Sequence, residues 1–71
     1  MKFILLIVIC SNIQQACLPD MKVDEFDNLY DCAVAGYEHS HKIIKDIDRT
    51  LFNKEELVLN FRCEKVKYDN I

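Results

Sequence analysis

The sequence predicts an all-α fold: a small secreted domain of two to three helices, stapled by a disulfide. Three observations predict it. Beyond Pro19 the apolar residues recur every three or four positions, turn chemistry is limited to one glycine and one proline, and four cysteines fall within only 71 residues. A chain this short forms one small domain, and a core of that size needs a staple to hold it. The composition, 51% hydrophobic and 30% charged, suits a folded body rather than a disordered tail.

At the N-terminus, Lys2 precedes an unbroken apolar run from Phe3 to Cys10, then the polar stretch Ser11-Asn12-Ile13-Gln14-Gln15 and the small residue Ala16. A positive start, an apolar centre and a polar end before a small residue are the zones of a secretory signal peptide. The reading therefore assigns residues 1–16 to the signal and 17–71 to a single mature helical domain. Gln14 stands where a small residue is preferred, so Val8-Ile9-Cys10 offers an earlier cut. A membrane-spanning helix needs about 20 apolar residues, and this run is too short for stable insertion. Lys2 is the only charged side chain in that stretch, so its removal takes the formal charge from −3 to −4.

Secretion places the cysteines in an oxidising compartment, where paired thiols are expected. Loss of Cys10 leaves Cys17, Cys32 and Cys63, an odd number. One of them is then free, joined to a second chain, or lost through a later cut. With Cys17 as the spare, Cys32 pairs with Cys63 across a long loop, worth ~3 to 4 kcal/mol in the chain-entropy picture. A Cys17 left unpaired would serve a disulfide-linked homodimer.

Periodicity supplies the helices. Val23, Phe26, Leu29, Tyr30, Ala33, Val34 and Tyr37 line one face of a first helix, with Asp24, Asp27, Asp31 and Glu38 elsewhere. Asp20 or Asp24 is available to cap it, and Gly36 to end it in a left-handed conformation. Ile43, Ile44, Ile47 and Leu51 predict a second helix from about Ser40 to Phe52. Asn53 stands three residues before Glu56, the spacing of a reciprocal cap, and predicts a third helix through Leu57, Val58 and Phe61. A strand competes there, because Leu57, Leu59, Phe61 and Cys63 alternate and Val66 and Tyr68 continue the alternation. The expected core is Phe26, Leu29, Tyr30, Ala33, Val34, Ile43, Ile44, Ile47, Leu51, Leu57, Val58 and Phe61.

The chemistry-bearing residues cluster at Glu38-His39-Ser40-His41. Neutral imidazoles accept copper or zinc, and His39 and His41 project to one side only if the segment is extended; on a helix they diverge. No other cofactor is implied. Ser40 lacks a third orienting group, and so small a domain has little room for a substrate pocket, so an enzyme is not expected. An acidic chain with interspersed Lys and Arg lacks the basic face that nucleic acid requires. It lacks equally the cationic face of a membrane-lytic helix.

Cys17, the segment Asp24-Glu25-Phe26-Asp27-Asn28-Leu29-Tyr30-Asp31 leading into Cys32, and the later Cys63 resemble, in order and spacing, the first part of the microplusin-like antimicrobial proteins of ticks and other arachnids. The resemblance covers roughly Cys17 to Cys63, keeps half of that family's cysteines and lacks its histidine-rich tail. It implies a secreted helical domain that withholds copper from microbes through histidines; His39 and His41 are available for that role, though no motif of the family places them. Two roles follow as expectations: a defence protein acting by metal sequestration, or a venom or salivary interaction protein.

Overall fold

Lys2–Ser11, the apolar run at the N-terminus, is a ten-residue strand, β1. Its β-branched Ile4, Ile7, Val8 and Ile9 favour a pleated, buried surface. It is followed by β2 (Ala16–Cys17), β3 (Met21–Phe26), α1 (Leu29–Asp46), α2 (Arg49–Glu55) and β4 (Leu57–Val66). These elements come from a computed structural model that describes residues 2–66. Tyr68, in which the terminal alternation continues, lies outside the described residues.

All four strands are antiparallel, and every strand pairing includes β1. One edge of β1 carries the whole of β4, from Lys2 opposite Val66 to Ser11 opposite Leu57. Its other edge is shared by β3, on Phe3 to Ile7, and by the short β2, on Cys10 and Ser11. A register shift between Leu5 and Leu6 marks a bulge against β3. Among the described residues no strand pairs with the outer edge of β4.

Alternation along β1 sorts its side chains to two faces. Leu5 and Ile7 point toward α1 and are fully buried with Cys32; these three make up the buried core. On the opposite face Ile4, Leu6 and Val8 are half-buried. Arg62, opposite Leu6, reaches past β1 on that face to Asp20 at 2.6 Å.

The fold is thus mixed α/β, and the all-α expectation is corrected in three places. Residues 2–11 form the central strand; discarding residues 1–16 would remove two of the three fully buried side chains and every strand pairing. Val23 and Phe26 lie in β3, so the first helix begins later, at Leu29. Its cap is Asn28, whose side chain accepts from the Asp31 N–H at 2.8 Å and donates to the Asp31 carboxylate at 2.9 Å. The third predicted helix is β4, the alternating pattern having prevailed over the Asn53–Glu56 signal.

Gly36 does not end a helix. It sits in the middle of α1, buried, where a Cβ would collide with the Phe61 ring of β4. The glycine lets helix and strand approach, and the helix continues to Asp46. The left-handed stop occurs instead at Glu56, with φ 49°, between α2 and β4. Half of the expected core, Leu29, Tyr30, Val34, Ile44, Leu51 and Val58, is exposed.

Candidate functional site

Helix α1 positions most of the residues singled out in the sequence. At 100° per residue its circumference divides into three sectors. Cys32, Gly36, Ile43 and Ile47 face the sheet, and all four are buried or half-buried. Asp31, Glu38, Lys42 and Lys45 form an exposed polar sector. Between them runs an apolar seam, Tyr30, Val34, Tyr37, His41 and Ile44, spaced four, three, four and three residues apart.

The seam is open to solvent: Tyr30 is 76% exposed and Tyr37 72%, with Val34 and Ile44 each 40% exposed. Tyr37 anchors it beside β4, its ring meeting Phe61 edge-on with centroids 4.9 Å apart and planes at 80°. A surface helix of a globular protein normally turns one apolar stripe inward and a polar face outward. Here α1 is apolar over two adjoining stripes, and the described residues cover only one of them. Spacing alone did not separate the stripes, because both follow the helical period. The discriminating signal was residue size, since Cys32 and Gly36 permit close approach whereas two tyrosines carry hydroxyls that favour water.

His39 and His41 both lie within α1, two residues and therefore about 200° apart. His39 is half-buried and His41 is exposed in the seam. The extended segment that would have brought them together is absent, and the pair does not fit a shared copper ion. Among the described residues no group of three or more His, Cys, Asp or Glu is placed to hold a metal. The Ser40 hydroxyl is buried without a protein hydrogen-bond partner.

Cys32 is bonded to Cys63, tying α1 to β4. Cys17 is not spare in this chain: the β1–β2 hairpin sets it opposite Cys10, to which it is bonded, and none of the four cysteines is free. The expectation of an unpaired Cys17 and a covalent dimer rested on the loss of Cys10.

The same hairpin borders an open cleft of about 280 Å³ lined by Ile9, Leu18, Leu57 and the Cys10–Cys17 bridge. Its one carboxylate, Glu55, is engaged: the Gln14 amide donates to it at 3.1 Å, and the Ser11 hydroxyl donates to the Glu55 carbonyl at 2.9 Å. At the far end of β1, the Lys2 ammonium donates to Asp27 at 2.7 Å and holds that carboxyl below the usual aspartate range. No helix among the described residues is long and apolar enough to cross a membrane. No family model, curated protein or solved structure matches the chain.

Proposed function

We propose that this chain is a small secreted interaction protein that binds another protein through the exposed seam of α1. The observation that carries the reading is the Tyr30, Val34, Tyr37 and Ile44 stripe, exposed among the described residues on a helix whose other apolar side is already used. Tyrosine-rich apolar surface is the composition enriched at protein interfaces. Two disulfides suit an oxidising compartment outside the cytosol. Residues 2–11 form the centre of the sheet, so for its compartment this reading rests on the disulfides and not on removal of that segment.

The metal-withholding role requires a shared imidazole site, and α1 separates His39 from His41. A role in binding has no such requirement. The test is photo-cross-linking of the oxidised protein in its native fluid, with Tyr30→benzoylphenylalanine against Lys42→benzoylphenylalanine. A protein adduct from position 30 and none from position 42 supports the reading. Equal adducts from both positions, or none from position 30, defeat it.

A further inference from the structure

The seam does not stand alone. Tyr37 holds it on the β4 side of the molecule, and β4 is a ten-residue edge strand whose outer backbone groups have no strand partner among the described residues. A long edge strand is a template for pairing with another strand. The Tyr37–Phe61 contact brings the apolar stripe next to β4, while Asp31, Glu38, Lys42 and Lys45 form a separate sector of α1.

We infer that this surface is the interface of a homodimer, in which β4 pairs antiparallel with β4 of a second copy and the two α1 seams close over the junction. The inference rests on the interaction reading above and names the partner. Strand spacing supports it: α1 lies over β4 and β1, and strands are about 4.8 Å apart. Joining two sheets through β4 sets the two helices roughly 10 Å from each other, the distance at which helices pack side by side. The spacing of four and three along the seam is that of side chains meshing between paired helices.

Charge and area are compatible with this pairing. Arg62 is already held by Asp20 at 2.6 Å and by Glu64 of its own strand at 3.4 Å, so charge only limits the register: a two-fold axis through Cys63 opposes no like charges. An axis through Phe61 likewise opposes none, whereas one through Arg62 would oppose two arginines. Aromatic side chains bury about 150 to 250 Å² each, so Tyr30 and Tyr37 together bring about 300 Å² per copy. Val34, Ile44 and the strand edge extend this toward the ~800 Å² per partner of a standard interface.

The test is sedimentation of the oxidised full chain at roughly 100 µM, well above a micromolar dissociation constant. The expected mass is twice the 8.4 kDa of one chain. Tyr30→Lys combined with Val34→Lys should weaken the dimer at least about tenfold with an unchanged circular dichroism spectrum, while Glu38→Lys in the polar sector leaves it intact. A monomeric wild type, or a double variant that dimerises as well as the wild type, overturns the inference. Cross-linking from Tyr30→benzoylphenylalanine needs no disruptive change and separates the two proposals. An adduct of two chains supports the dimer, an adduct with a different protein overturns the dimer and spares the interaction reading, and no adduct overturns both.

Discussion

Replacing Gly36 by alanine tests how α1 is seated. In the middle of a helix the change would ordinarily stabilise by about 0.5 to 1 kcal/mol, because glycine gives up more backbone freedom on folding. Here the added Cβ meets three atoms of the Phe61 ring. The ring has little room to retreat, with Tyr37 against it and the Cys63 bridge two residues along β4. Overpacking of this kind costs about 1 to 3 kcal/mol. The net expectation for Gly36→Ala is a loss of about 1 to 2 kcal/mol, or roughly 5 to 10 °C in Tm for a domain of this size. In a Phe61→Leu background the obstruction is gone, and the same substitution should become neutral or stabilising. Thermal and urea unfolding followed by circular dichroism on all four proteins measures the coupling. A Gly36→Ala protein that is more stable than wild type with Phe61 in place would refute the close-approach argument.

Three further outcomes are expected. In the chain-entropy picture the Cys32–Cys63 loop, with a separation of 31 residues, is worth about 4 kcal/mol and the Cys10–Cys17 loop, with a separation of 7, about 2.5 kcal/mol; urea unfolding of the two double-alanine variants should rank them in that order, and the reverse order would count against it. Asp27, stabilised as the anion by the Lys2 hydrogen bond and charge, should titrate by carboxyl NMR below the ordinary value of about 3.9; the stabilisation is present above that value and lost as pH falls through the lower folded one, and Lys2→Gln should raise the midpoint, so an unchanged midpoint would remove the contact. A cut after Ala16 in the folded, oxidised chain falls inside the Cys10–Cys17 loop. Non-reducing mass spectrometry should then retain the N-terminal strand, whereas a chain beginning at Cys17 that keeps the same strand content would show that β1 is dispensable.

The legible part of the sequence was the middle. Leu29 to Asp46 carries the helical period strongly enough that α1 follows from it, although Gly36 was read as a stop because a glycine inside a helix has a role only when its neighbour in space is known. Val23 and Phe26 are spaced as on a helix and also fit a bulged strand; β1, far away in sequence, decides between them. The same holds for Leu57 to Cys63, whose alternation competed with the Asn53–Glu56 cap and won through pairing along the whole of β1. The apolar run from Phe3 to Ile9 has the composition of an export tag and equally that of a strand apolar on both faces. At the site, the seam residues were found but placed inside, and the histidines were found but given an extended backbone that α1 does not have.

The order in which the chain is made adds a constraint of its own. Among the described elements β1 is made before its partners; β2 and β3 can pair with one of its edges soon afterwards, whereas β4 follows only after both helices. A pairing this distant in sequence is slow to form and waits until Val66 has been made. During that interval one edge of an apolar strand stands open, a surface prone to mispairing until Leu57–Val66 lies alongside it.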